Sequence, residues 1–348
     1  MINKETPVLV TGGSGYIASW VVQQLLEQGY KVNATVRNKS KIAKVDHLLN
    51  LQKKFTGKLK LYEADLLKEG SFENAMKGCE LVIHMASPFK VNVKDAQKEL
   101  LDPALKGTRN LLKQVNETAT VKRVVLTSSV VAIYGDAADI KETKKGIFTE
   151  ADWNTTSSLK HQPYSYSKTL AEKEAWQLQK QQNRWDLVVI NPSFVMGPSL
   201  SNRTDGESTD FMIQLLSGSF KAGAPYLSFG FVDVRDVAAA HILAGTKETA
   251  SGRHITCATS KTMLETALIL RKEFGDQYKL PSKQLPKFLM YLVGPFAGFS
   301  WKFVRNNIGI PVVFDNTYSQ DDLGLVYRDL SDTLKDQVNQ LIESGHVQ

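Results

Sequence analysis

The sequence predicts an α/β protein, a doubly wound parallel sheet with a smaller C-terminal substrate-binding lobe. Three observations predict it. Short apolar runs alternate with helix-period segments over the first 190 residues, a glycine-rich turn joins the first run to the first helix, and the regularity breaks after Pro192. Strand–helix alternation is the pattern of a parallel sheet covered by helices on both faces. A chain of 348 residues has room for such a unit and a smaller companion.

Residues 7–12 (PVLVTG) form an apolar run ending in glycine, as a strand buried on both faces does. Ile17, Val21, Val22, Leu25 and Leu26 then fall on one helical face, and Gly29 closes that helix. KVNATV at 31–36 reads as the second strand, followed by a basic helix near 40–54, a strand at 59–63 and a helix near 71–77. ELVIHMA at 80–86 is the fourth strand, a long helix covers 95–117, and KRVVLTS at 122–128 is the fifth strand. A helix over 164–182 and DLVVIN at 186–191 complete the series. The sheet domain is expected to take residues 1–192 plus 232–258, and the lobe 193–231 plus 259–348.

Composition narrows the function. Hydrophobic residues at 42% and charged residues at 23% exclude disordered and collagen-like classes. Lys and Arg number 43 against 36 Asp and Glu, a net +7. Those cations are spread along the chain, with no arginine-rich tract, finger or helix-turn-helix pattern, so no nucleic-acid partner is expected. Cys79 and Cys257 supply neither a disulfide framework nor a thiolate metal site, and no His/Asp/Glu spacing marks a metal. His84 reads as a strand residue and His161 as a surface one. The N-terminal segment is not a secretory signal, so a cytoplasmic location is expected. The longest apolar run, Phe288 to Phe299 (FLMYLVGPFAGF), is short of the ~20 residues that span a bilayer and is broken by Gly294-Pro295. No stable membrane insertion is expected. The run reads as a buried helix or pocket wall, with a peripheral membrane or dimer contact as the other reading, and the chain as a monomer or homodimer.

Thr11-Gly12-Gly13-Ser14-Gly15-Tyr16-Ile17-Ala18 has the form T-G-x-x-G-x-x-A between strand and helix. Gly12 permits the tight turn, Gly15 lets backbone approach a pyrophosphate, and Ala18 lets the helix lie on the strand. Thr11, Gly12, Gly15, Tyr16 and Ile17 are therefore expected to contact a dinucleotide, whose phosphates would face free N–H groups and the helix dipole. A site selective for NAD would place an acid at the end of the second strand, but residues 34–44 read ATVRNKSKIAK. A guanidinium grips a 2′-phosphate in bidentate fashion. NADP(H) is thus the expected cofactor, with Arg37 as main contact and Lys44 or Lys41 as second. Asp65 and Leu66, after the third strand, are placed at the adenine, and Ala86 and Ser87 along the cofactor's path.

Tyr164-Ser165-Tyr166-Ser167-Lys168 contains Y-x-x-x-K, a spacing that sets both side chains on one helical face. A cation beside a phenol favours phenolate and brings proton transfer toward neutral pH. Tyr166 is the weaker candidate, since Leu170 stands four residues on. The fifth strand ends Thr127-Ser128-Ser129, at the sheet edge where ligands bind, and a serine there can polarise a carbonyl. Thr127 is expected beside the cofactor. Phe89, Val131, Phe194 and Tyr226 are candidate pocket walls by position, and Phe89, Tyr226 and the 288–301 segment suggest an apolar or aromatic carbonyl substrate.

The runs VTGGSGYIASWVVQQLLEQGYKVNATVR at 10–37, ADLLKEGSFENAMKGC at 64–79, HMASP at 84–88, VKRVVLTSS at 121–129, YSYSKTLAEKEAW at 164–176, NPSFVMGP at 191–198 and FVDVRDVAAAH at 231–241 together resemble the extended short-chain dehydrogenase/reductase family. The chain looks most like its branch around dihydroflavonol 4-reductase, cinnamoyl-CoA reductase and the yeast and bacterial methylglyoxal-type carbonyl reductases. The resemblance implies a Rossmann domain, NADP(H) and a Ser129–Tyr164–Lys168 triad. It also puts Arg37 and Lys44 at the 2′-phosphate, and Pro192 and Ser193 beside the nicotinamide. The run His161-Gln162-Pro163-Tyr164-Ser165-Tyr166-Ser167-Lys168 departs from the N-W-Y-C-Y-G-K of the cinnamoyl-CoA branch, which argues against a CoA thioester. The function expected is NADPH-dependent reduction of an aldehyde or ketone, with Tyr164 as proton donor. The alternatives within the fold are a 3β-hydroxysteroid-type dehydrogenase and a nucleotide-sugar epimerase or dehydratase. Outside enzymes, the alternative is a dinucleotide sensor.

Overall fold

The computed structural model describes residues 2–87, 93–201 and 206–347. Its first half alternates as the periodicity predicts: β1 (Val8–Thr11), α1 (Tyr16–Glu27), β2 (Val32–Val36), α2 (Asp46–Lys54), β3 (Leu59–Glu63), α3 (Glu73–Met76), β4 (Leu81–His84), α4 (Asp102–Glu117), β5 (Arg123–Thr127), α5 (Pro163–Gln179) and β6 (Asp186–Pro192). Then follow β7 (Phe194–Met196), α6 (Glu207–Leu216), β8 (Ser228–Asp233), α7 (Val234–Thr246), β9 (Gly252–Thr256), β10 (Thr259–Thr262) and α8 (Met263–Phe274). The chain ends in α9 (Lys287–Val293), α10 (Trp301–Asn307), α11 (Thr317–Leu323) and α12 (Leu330–Glu343).

Seven parallel strands make the main sheet in the order β3-β2-β1-β4-β5-β6-β9. This is the Rossmann arrangement. Along β1, Val8 and Val10 pack in one apolar layer with Val21, Leu25 and Ala240, while Leu9 packs in the other with Met76, Leu111 and Ala175. Alternate residues thus enter opposite layers, and both layers are dry, which is why these strands read as continuous apolar runs. Strand order reverses between β1 and β4, and that split opens a crevice at the carboxyl ends. The Thr11 hydroxyl bridges it, accepting the N–H groups of Met85 and Ala86 at 3.0 Å each and lying 2.8 Å from His84 Nδ1.

A three-stranded sheet, β10-β8-β7, lies beyond β6. Its cluster joins Met196 and Phe231 with Met212 of α6, Leu270 of α8 and Leu334 of α12. Leu323 and Leu325, from the stretch assigned by sequence to the lobe, pack instead with the main sheet.

Three expectations need correction. The basic helix near 40–54 begins only at Asp46, behind a single tight turn over residues 42–44, and an acid in the first turn suits the helix dipole there. The helix over 95–117 opens with a widened turn at Gln97–Leu101, because Pro103 lacks the N–H that would bond back to the Glu99 carbonyl. The apolar run 288–299 is neither a buried helix nor a pocket wall. Helix α9 is two turns long and sits on the outside of the fold with only Met290 turned inward. Among the described residues, no helix is long and apolar enough to cross a membrane.

Arg123, 8% exposed at the start of β5, grips both carboxylate oxygens of Asp186 on β6 at 2.7–2.8 Å. It also donates to the carbonyls of Ala244 at 3.0 Å and Lys247 at 2.5 Å, the open C-terminal end of α7. Arg123→Met strands those carbonyls and should cost about 2–3 kcal/mol, by the usual worth of hydrogen bonds to a charged group. A urea unfolding curve with an unchanged midpoint and slope would show that the clamp contributes nothing.

Candidate active site

The glycine turn is built for close approach. Gly12 takes φ +67°, and a Cβ on it would lie 3.0 Å from the Ala86 Cα. Gly15 donates its N–H to the Gly12 carbonyl at 2.8 Å, and a Cβ there would meet that same oxygen at 3.1 Å. Helix α1 then starts with no side-chain cap, so its first-turn N–H groups are left for a ligand. A dinucleotide's pyrophosphate fits this cradle by charge and by space.

A cavity of about 550 Å³ opens above the turn. Gly12, Gly15, Tyr16 and Ile17 line it on one side, and Ser87, Thr127, Ser129, Tyr164, Lys168, Pro192 and Ser193 on the other. Val131 and Phe194 stand in its wall as well. Residues far apart in sequence, drawn from four strand ends and two helices, thus share one space. The segment after β7 is fastened over α1 by Tyr16 Oη donating to the Gly197 carbonyl at 2.6 Å and by Trp20 Nε1 donating to the Pro198 carbonyl at 2.9 Å.

The two serines at the end of β5 differ. Ser128 is buried and donates to Glu172 Oε2 at 2.5 Å. Ser129 is half-buried, and among the described residues its hydroxyl has only long contacts, at 3.5 Å to the Pro192 carbonyl and 3.4 Å from the Val131 N–H. Its hydroxyl can turn to a ligand at little cost. Glu172 also takes Arg253 Nε at 2.6 Å and Asn191 Nδ2 at 2.9 Å, so a fully neutralised carboxylate underlies the site.

Helix α5 delivers Tyr164 and Lys168. Its first residue is Pro163, and Gln162 before it has φ +53°, the only non-glycine residue with positive φ among those described. Gln162 Nε2 donates to the Gly135 carbonyl and, at 2.8 Å, to Asp136 Oδ1. Asp136 in turn takes His161 Nε2 at 2.8 Å, Asn306 Nδ2 at 2.9 Å and Asn307 Nδ2 at 2.7 Å. Burial would raise the Asp136 carboxyl, but these donors hold it below the usual range. His161, expected at the surface, is 8% exposed and belongs to this cluster.

Burial dominates the electrostatics. It raises the Tyr164 phenol well above its ordinary value, and the Glu207 carboxylate adds to the rise. Burial lowers the Lys168 amine to about 8, against the pull of Glu172. The lowering of the Tyr164 phenol expected from a neighbouring lysine is not found: both influences on it, burial and then Glu207, raise it. Lys168 Nζ donates instead to the Thr127 carbonyl at 3.4 Å. His84 and His241 are held neutral beneath it, at about 3 and about 4, by burial first. His241 Nε2 lies 2.7 Å from Thr127 Oγ1, which fixes that strand end.

Other candidates stand apart from the cavity wall. Leu66 and Ala86 line a small adjoining space that shares Ser87, Thr127 and Lys168 with it. Thr11 is engaged below the turn, and the Asp65 carboxylate takes the Leu67 N–H at 2.9 Å. Arg37 directly follows β2 and Lys44 ends the short turn after it; both are exposed and without an ion pair among the described residues. Tyr226 is outside the wall, its carbonyl accepting the Gly309 N–H at 2.9 Å, and Phe229 on β8 lines the cavity instead. Phe89 lies outside the described residues. Glu207, the first residue of α6, was missed by sequence reasoning although it lines the cavity. A lone acid after a glycine carries no spacing signal of its own.

The family model described as "NAD dependent epimerase/dehydratase family" matches residues 8–258. The chain is 40% identical over 342 residues to the cinnamoyl-CoA reductase CAD2 of Medicago truncatula, covering 97% of this chain and 95% of that one. It is 34% identical over 343 residues to tetraketide alpha-pyrone reductase 1 of Arabidopsis thaliana, covering 98% and 96%. Among solved structures, Gre2 of Candida albicans in complex with NADPH superposes with a TM-score of 0.78 at 31% identity, covering 97% of this chain and 99% of that one.

A charged lysine held at about 8 instead of its ordinary 10.5 costs folding on the order of 3 kcal/mol at pH 7. The folded amine loses its proton first, so wild-type stability climbs as pH rises from 8 toward 10.5. Lys168→Met should melt above the wild type at pH 7, with the gap closing over that window. A variant that melts lower at every pH would contradict the strained ammonium.

Proposed function

This chain belongs to the NAD dependent epimerase/dehydratase family, and on that premise we propose that it reduces an aldehyde or ketone to an alcohol with NADPH. Its relatives are reductases, which places it among oxidoreductases acting on carbonyl or CH–OH groups. The observation that carries the reading is the meeting of Ser129, Tyr164 and Lys168 in the wall of the cavity that begins at the glycine turn. NADPH held along that turn supplies a hydride to the substrate's carbonyl carbon.

The chain's own residues do the rest. Ser129, free to rotate, donates to the carbonyl oxygen and polarises it. Tyr164 rests as a phenol and passes its proton to that oxygen as negative charge develops there. Lys168, one helical turn on in the same cavity wall, is the cation that would steady the phenolate that remains. Thr127 and Pro192–Ser193 border the place where the reacting ring would lie. Arg37 and Lys44, exposed cations past β2, meet a 2′-phosphate, and that choice sets NADPH over NADH. Residues 1–192 and 232–258 form the cofactor side in this reading, and 193–231 and 259–348, apart from α11, the substrate side.

Val131, Phe194 and Phe229 give the substrate end an apolar lining, and Phe211 packs edge-on behind Phe194 at 5.4 Å. Glu207 is an acid in that wall. An aromatic or branched apolar carbonyl compound without a carboxylate of its own suits it best.

Tyr164→Phe should lower kcat at least about a hundredfold, since positioned acid–base groups give ~10²–10⁴. Its NADPH affinity, read by fluorescence titration, should stay that of the wild type, and activity retained in this variant would remove Tyr164 as proton donor. Arg37→Ala should weaken NADPH binding about tenfold or more, the worth of a charge-assisted hydrogen bond, while NADH binding holds. Equal losses for both nucleotides would move the 2′-phosphate contact elsewhere.

A further inference from the structure

Between Asp276 and Asp315 the chain contains no acidic residue, yet Lys279, Lys283, Lys287, Lys302 and Arg305 fall inside that interval. The same interval holds the apolar run 288–299, which the fold leaves on the outside. Helix α9, the turn at Gly294–Ala297 and helix α10 form a small hairpin. Its inner side is a minor cluster of Met290, Val304 and Ile308 packed on Leu227 and Leu285. Its outer side carries Phe288, Leu292, Phe296 and Trp301 at 64%, 63%, 94% and 69% exposure. Four large apolar side chains standing in water on one short hairpin is not how a surface helix normally disposes of its hydrophobes.

The charge around them selects what covers them. Lys302 and Arg305 are exposed on α10, and the turn packed beneath it carries Lys141; burial first, and then Lys141, lower the Lys287 amine. A second copy docking through a twofold axis would set these cations against their own images. An anionic bilayer meets both features at once. Apolar and aromatic side chains enter the boundary between headgroups and acyl chains, while flanking lysines and arginines stay with the headgroup anions. We propose that the hairpin of residues 287–305 is a peripheral docking element for an anionic lipid surface, which it binds without spanning.

The full-length protein can be tested by cosedimentation with vesicles of phosphatidylcholine, with and without phosphatidylserine. The wild type should partition onto the phosphatidylserine vesicles, leave them as salt is raised, and ignore phosphatidylcholine alone. The double variant Phe296→Ser/Trp301→Ser should lose about tenfold or more of that partitioning, because apolar burial sets much of the affinity of interfacial helices. Both side chains are mostly in water already, so its circular dichroism melt should match the wild type. Lys302→Glu/Arg305→Glu should lose the preference for phosphatidylserine while keeping the fold. Absence of wild-type binding, or binding unchanged in either variant, overturns the proposal. So does a stable dimer in sedimentation velocity that the Phe296→Ser/Trp301→Ser variant dissociates, since a second copy would then be the occupant.

Discussion

A carboxylate taken out of water must be neutralised where it stands, and the Glu172 side chain, 1% exposed, organises the centre of this protein on that condition. Arg253 of β9 supplies the opposite charge, Ser128 of the β5 end and Asn191 of β6 supply donors, and Glu172 itself rides on α5. The remaining guanidinium N–H groups reach the carbonyls of Glu150 and Asp152, and its plane lies 3.8 Å from the Trp153 ring. Three strand ends, one helix and one loop are therefore fixed to each other by a single charge. The site inherits its geometry from that arrangement. Ser128 is consumed, so of the two serines at the end of β5 Ser129 is the one whose hydroxyl is left for the cavity. Lys168 sits one turn before Glu172, whose pull opposes the fall in its basicity.

The same burial divides the work of the tyrosine and the lysine. An acid that must give up a proton has to hold it beforehand, and a phenol raised by burial and by Glu207 holds it firmly. The energetic difficulty lies in the phenolate left behind. A lysine already strained by burial gains most from an anion formed beside it, so the groups that look mismatched at rest are matched after transfer. Neutral His84 and His241 contribute no competing charge below them.

Much of this was legible in the sequence, for identifiable reasons. The strands β1, β4, β5 and β6 are buried on both faces, so their apolar runs admit one reading. The T-G-x-x-G-x-x-A turn and Tyr164-x-x-x-Lys168 are local, and spacing alone aligns their parts. What failed is what depends on distant partners. His161 reads as a surface residue because its partner Asp136 is 25 positions away. Ser128 and Ser129 are indistinguishable until Glu172 is placed behind one of them. Tyr226 and Phe229 are both plausible lobe aromatics, and only the pairing of β8 with β7 and β10 decides which faces the cavity. The run at 288–299 misleads for another reason: apolarity predicts burial somewhere, without saying whether the burying partner belongs to the same chain.

Asp136 has a consequence of a different kind. One end of its cluster is Gln162, whose left-handed backbone sets the angle at which α5 leaves for the cavity; the other end is Asn306 and Asn307, the last turn of α10. The outer hairpin and the catalytic helix are thus geared to a common axle, about which neither end turns alone. The exposed tip carries none of this load, because Phe296 and Trp301 stand mostly in water. Cutting away the last turn of α10 would take two of the donors from Asp136 and loosen the hold on Gln162, so the hairpin's base serves the aim of the tyrosine.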